Sequence, residues 1–176
     1  MDDAIDESCV VKSIQDGDQS VFYYIYGDTS KELIILVHPA FGDHQCFYHQ
    51  IEAFTKDYCV ICIDLVGHGQ SQVEDASVKI DRSAFHIAEI MKEENFESAH
   101  LVGVSMGALI AQYFPLNYPQ KTKSLTALGA YDINISDSRF SKSNKINSLK
   151  MAVKILFSMD SFYRDMADLS LANLYV

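Results

Sequence analysis

Short apolar runs alternate along this chain with longer stretches of helical period. Cys9–Ile14 and Val21–Tyr26 read as two strands joined by the turn Asp16-Gly17-Asp18. Leu33-Ile34-Ile35-Leu36-Val37-His38 is apolar up to its last residue, as expected of a strand covered on both faces. Cys59–Asp64 and Ala99–Val104 repeat that pattern, and Lys123–Gly129 makes a sixth strand. Between these runs, His44–Lys56 carries Phe47, Ile51 and Phe54 close to a 3–4 repeat. Ile80–Glu94 sets Ala84, Ile87, Ala88 and Met91 on one stripe, widened by Phe85 and Ile90. Met106–Asn117 starts directly after the Ala99–Val104 strand. Strand–helix alternation of this kind predicts an α/β fold, a mostly parallel sheet flanked by helices.

After Tyr131 the pattern changes. Ile133–Asn147 is rich in Ser, Asp, Asn and Lys and reads as a loop, followed by amphipathic helices over Leu149–Met159 and Phe162–Tyr175. No further buried strand follows, so the sheet reads as unfinished. The chain divides into a core over 1–132 and a helical region over 133–176.

Composition narrows the classes. A chain of 176 residues suits one domain with a single core. Its net charge of −10 argues against a nucleic-acid partner, because phosphate binding needs a basic surface. No segment reaches the ~20 uninterrupted apolar residues that span a bilayer, so no membrane partner is expected. Met1–Glu7 is acidic where a signal peptide requires basic residues, and a soluble cytoplasmic protein is the expectation. Cys59 and Cys62 have the C-x-x-C spacing of redox and zinc motifs. They lie on one strand, however, where residues three apart face opposite sides. Buried free thiols are therefore expected, with no metal and no cofactor.

Three loops carry candidate chemistry. Gly103-Val104-Ser105-Met106-Gly107 is a G-x-S-x-G set between a buried strand and a helix. The five letters alone are weak, since a glycine turn with an incidental serine has the same spelling. The context is specific, because a sharp strand-to-helix turn projects the serine Oγ above the sheet and the helix aims N–H groups at it. His38-Pro39-Ala40-Phe41-Gly42-Asp43-His44 leaves an earlier buried strand and is either an oxyanion loop or a plain turn built on Pro39 and Gly42. Asp64-Leu65-Val66-Gly67-His68-Gly69-Gln70-Ser71 leaves another, and its His68 reads as a structural loop histidine.

In this order and spacing the three motifs resemble the α/β-hydrolase superfamily, in its capped serine-hydrolase group, over roughly residues 20 to 130. The resemblance implies Ser105 as nucleophile and an oxyanion hole from the backbone N–H groups of Met106 and Ala40. Phe41, in the same loop, is the candidate substrate-binding residue. The family usually has glycine at the position of Pro39, which stiffens this loop without removing the Ala40 donor. A serine at the elbow, where dehalogenases and epoxide hydrolases carry aspartate, implies acyl chemistry on a small ester, thioester, lactone or amide. The region from 133 onward resembles the start of a helical cap. The family's last two strands, which would bring the catalytic histidine, are missing.

The family's order of nucleophile, acid, histidine puts the base after Ser105. All six histidines, at 38, 44, 49, 68, 86 and 100, precede it. Asp132 is a candidate acid in the family's less common arrangement, against its reading as a solvated turn residue. A truncated chain with at most feeble activity is the expectation. The alternatives are a small-molecule receptor or signalling partner, a degenerate fragment, or a lyase or cofactor-free peroxidase on the same scaffold.

Overall fold

Strand β1 (Val10–Asp16) and strand β2 (Gln19–Tyr26) form a hairpin closed by two residues, Gly17 and Asp18, with Asp16 paired to Gln19. Gly17 sits at φ +61°, the left-handed region that a tight turn requires and glycine enters without steric cost. The remaining strands are β3 (Leu33–Val37), β4 (Cys59–Ile63), β5 (Ala99–Val104) and β6 (Thr122–Leu128). Helices α1 (Tyr48–Phe54), α2 (Ile80–Glu93) and α3 (Met106–Asn117) connect them. The structure, a computed structural model, describes residues 9–73, 78–130 and 132–133. The loop and helices expected beyond Ile133, and the cap with them, lie outside the described residues.

The sheet order is β1-β2-β4-β3-β5-β6. The hairpin joins the sheet antiparallel through β2 and β4, and the four strands β4, β3, β5 and β6 run parallel. Each apolar strand divides its residues between two cores, as a period of two requires. Leu33, Ile35, Val37, Cys59, Ile61 and Ile63 pack on one face with Ala84, Ile87 and Met91 of α2 and Ile110, Ala111 and Phe114 of α3. Ile34, Leu36, Val60 and Cys62 pack on the other with Phe47 and Ile51 of the α1 region. Cys59 and Cys62 thus lie on opposite faces as free thiols.

Several boundaries differ from the pattern reading, each for a local reason. His44–Phe47 is a tight 3-10 turn capped by the Asp43 carboxylate, which accepts from the Gln45 N–H, so the helix proper starts at Tyr48. On α2, His86 and Ser83 join the buried stripe while Phe85 lies outside it, with the Arg82 guanidinium 4.4 Å above its ring. His86 turns inward because Asp16, at the end of β1, accepts its Nε2 at 2.7 Å. Arg82 pairs with the same carboxylate, and together they hold the Asp16 carboxyl down to about 2. Among the described residues β1 and β6 are the sheet edges, and most of β6 is exposed.

This topology sets three loops together at one end of the sheet. The chain leaves β3 toward β4 by α1 on one face and reaches β5 by α2 on the other. Connections diverging from neighbouring strands leave an opening at the carboxyl ends, where open α/β sheets bind ligands. The loops after β3, β4 and β5 all emerge there.

Candidate functional site

The turn between β5 and α3 is built around Ser105, which has φ 53° and ψ −112°. A non-glycine residue there carries strain of about 1–3 kcal/mol, kept only where the surroundings enforce it. They do so from both sides. The Ser105 N–H donates to the Leu128 carbonyl of β6 at 2.8 Å, and the Ser105 carbonyl accepts from Ala108 at 3.0 Å. Both glycines of the motif are required by contact. A Cβ on Gly103 would lie 2.2 Å from the Gly107 carbonyl oxygen, and one on Gly107 would lie 2.1 Å from that of Val37. Helix α3 therefore starts against the end of β3, and the chain has to reverse sharply at Ser105 to reach it.

Met106 is the first residue of α3, where N–H groups have no intrahelical acceptor. Such donors, with the positive end of the helix dipole, favour negative charge developing beside the serine. Against this turn stands the loop leaving β3. Gly42 N–H donates to the Pro39 carbonyl at 3.1 Å, closing a turn that contains Ala40 and Phe41. Phe41 is a second left-handed non-glycine, at φ 65°, and its side chain is 73% exposed. Strain and an exposed ring coincide in one residue of the loop after β3.

Two buried polar residues hold these loops. The His38 Nε2 accepts the Leu65 N–H at 3.0 Å, which leaves Nδ1 as the protonated nitrogen donating to the Pro39 carbonyl at 2.8 Å. Burial pushes the His38 pKa down, so the ring is a neutral clamp between the loops after β3 and β4. Asp64 has no exposed surface. Its Oδ1 accepts the backbone N–H and the ring Nδ1 of His44, each at 2.9 Å; its Oδ2 accepts Tyr24 Oη at 2.9 Å and the Gln70 N–H at 2.8 Å. Burial alone would raise this carboxyl, but the hydrogen bonds from His44 and Gln70 outweigh it and hold it below the usual range. Gly69 is glycine because it sits at φ +50° and a Cβ there would lie 2.0 Å from Asp64 Oδ2. The motif reading quoted Asp64 but gave it no role. The alternation of glycines around His68 was the signal of a tight loop, yet its centre is the aspartate before it.

Every histidine is accounted for. His68 approaches the Val66 carbonyl at 3.3 Å and packs 5.0 Å from the His38 ring. His44 stacks on Tyr24, His49 packs on Tyr48, His86 serves Asp16, and His100 lies near the start of β5. None of their hydrogen bonds reaches Ser105. Asp132 is exposed, next to Ile133, whose N–H donates to the Gln112 side chain of α3. Among the described residues no group of three or more His, Cys, Asp or Glu could hold a metal ion, and no helix is long and apolar enough to cross a membrane.

A mostly parallel sheet whose strand β5 ends in a strained serine turn, with helices on both faces, defines an α/β hydrolase class of protein. The comparisons agree: the family model described as the alpha/beta hydrolase fold matches residues 32–169. This chain belongs to that family. A curated (E)-2-((N-methylformamido)methylene)succinate hydrolase of Acinetobacter baylyi is 30% identical over 124 residues, covering 69% of this chain and 46% of the relative. Epoxide hydrolase 4 of Mus musculus is 26% identical over 129 residues, covering 72% and 36%. A solved hydrolase from Pseudomonas aeruginosa superposes with a TM-score of 0.67 at 20% identity, over 91% of this chain and 58% of that one. The chain spans less than half the length of the curated relatives it matches here.

Proposed function

We propose that this chain carries the nucleophile half of a serine acyl-hydrolase site. Ser105 is the nucleophile, the N–H groups of Met106 and Ala40 form the oxyanion hole, and Phe41 lies against the acyl group of a small ester, thioester or related substrate. The observation that carries this reading is the strained Ser105 turn, locked by Leu128 and by backbone contacts that exclude any side chain at 103 and 107. Attack by Ser105 Oγ on the substrate carbonyl breaks the serine O–H bond, its proton passing to water and on to the leaving group, and forms a C–O bond and a negatively charged tetrahedral oxygen, the charge the N–H groups are aimed to stabilise. Collapse expels the alcohol or thiol and leaves an acyl-serine, which water hydrolyses. Asp132 is the proposed acid of the triad. Relatives include an epoxide hydrolase by name. The side chain at this elbow is a serine hydroxyl and not a carboxylate, which supports the acyl reading for this chain.

None of the six histidines serves as base to Ser105. This placement favours a second reading, in which residues 1–176 alone bind an acyl compound without turning it over at a normal rate. Reaction of purified 1–176 with a fluorophosphonate probe, located by peptide mass spectrometry, separates the two. Labelling of Ser105 well above that of exposed serines supports an activated nucleophile. Saturable binding of an aryl ester with no Ser105 adduct supports the receptor reading.

A further inference from the structure

A second serine has what Ser105 lacks. At the other end of the sheet, β5 and β6 pair so that His100 stands directly opposite Ser124. The Ser124 Oγ lies 2.7 Å from His100 Nδ1, and the His100 Nε2 lies 3.3 Å from Glu32 Oε2, just before β3. A carboxylate is acceptor-only, so Nε2 carries the imidazole proton and Nδ1 is left to accept from the serine hydroxyl. Nucleophile, base and orienting acid thus form one row across β6, β5 and the residue that leads into β3. The ring is held from the side by Tyr58, edge-on at 5.8 Å and 81°. Lys123 pairs with the second Glu32 oxygen at 2.5 Å, and with His100 it keeps that carboxyl below its usual range and ionised.

Hydrogen bonds from nucleophile to base and from base to an orienting carboxylate are the geometric requirement for an activated serine. We infer that Ser124, His100 and Glu32 form a second acyl-accepting site, with Ser124 the nucleophile toward small activated acyl donors such as aryl esters. In the step, Ser124 Oγ bonds the acyl carbon, its proton passes to His100 Nδ1, and the bond to the aryloxide breaks. The resulting imidazolium is stabilised by Glu32. The imidazolium gives its Nδ1 proton to the departing aryloxide, which leaves as the phenol. Water then attacks the acyl-serine with the neutral His100 as base, and the returned proton restores the serine hydroxyl as the carboxylic acid leaves. Ser124 is exposed and open to a small acyl donor. It is separate from Ser105. Five residues along β5 are about 16 Å, beyond hydrogen-bond reach of His100.

The experiment uses the full 176-residue chain, a fluorophosphonate probe and p-nitrophenyl acetate, with adducts located after trypsin digestion. Cleavage follows Lys121 and Lys123, so Ser105 and Ser124 fall on different peptides. Exposed Ser13 on β1 is the internal reference. The expected result is a Ser124 adduct forming about a hundredfold faster than one on Ser13, unchanged in Ser105→Ala. It should fall about a hundredfold in His100→Gln, the lower end of what a general base supplies. Glu32→Gln should give a smaller loss, with His100 still in place. Ser124 labelling no faster than Ser13 in the unaltered chain overturns the inference, whatever the variants do. So does labelling that survives His100→Gln in a chain with an unchanged melting curve. Failure at Ser105 with success at Ser124, or the reverse, identifies which of the two sites is wrong.

Discussion

An alanine at position 107 puts a methyl carbon 2.1 Å from the Val37 carbonyl oxygen, 2.6 Å from its carbon and 2.7 Å from the His38 carbonyl oxygen. Ordinary van der Waals contact begins near 3.4 Å, so about 1.3 Å must be found. Val37 cannot yield it, because β3 is hydrogen-bonded to β4 on one side and β5 on the other. The movement therefore falls on α3, drawing Ile110, Ala111 and Phe114 away from the sheet core they help to fill. Overpacking of this kind costs about 1–3 kcal/mol, and two rigid backbone groups place it at the upper end. Alanine's better helix propensity returns about 1 kcal/mol, for a net loss of about 2 kcal/mol. At this chain length that is a fall in melting temperature of about 4–8 °C. Urea titration should show a lower midpoint with an unchanged slope, and Ser105 labelling should fall with the displaced turn. The matched control is Gly17→Ala, where nothing lies within 4 Å of the added carbon and only the φ of +61° is penalised, by about 1 kcal/mol. A Gly107→Ala chain as stable as the unaltered protein would refute the contact argument.

Two further outcomes follow from the same contacts. The Asp16 carboxyl is held at about 2 by Arg82 and His86, against about 3.9 for an unfolded aspartate. A lowered folded value means its contribution is present above pH ~4 and is lost as pH falls toward 2. Asp16→Asn should therefore lower stability at neutral pH and flatten the acid limb of a stability-versus-pH curve; an unchanged acid limb contradicts the assignment. Phe41→Gly removes left-handed strain of about 1–2 kcal/mol and adds unfolded-chain freedom of about 0.4–1 kcal/mol, for a net gain of about 0.5–1 kcal/mol. Under the proposed function the same change weakens acyl-group binding. A loss of stability in thermal melts would show that the ring is needed for folding instead.

Much of the scaffold was readable in advance because its signals are local. Leu33–Val37 and Cys59–Ile63 are continuous apolar runs, and a strand covered on both faces has no room for polar residues. The serine turn was readable because its two glycines flank it in sequence. What they prevent was not. Gly107 is set by the Val37 carbonyl, 70 residues earlier in the chain, and Gly69 by the carboxylate of Asp64. The hairpin strand β1 read like any other apolar run, yet Val10 and Val11 are about half exposed because β1 lies at the sheet edge.

The linear pattern by itself determined the α/β class, the strand-to-helix serine turn and the absence of any histidine after Ser105. These depend on residue type, period and order, all written along one chain. Tertiary structure decided the partners. It placed β4 between β2 and β3, gathered Tyr24, His44 and Gln70 around Asp64, and set His100 against Ser124 instead of Ser105. Such pairings depend on strand order and register, and a one-residue change in register turns every side chain to the opposite face.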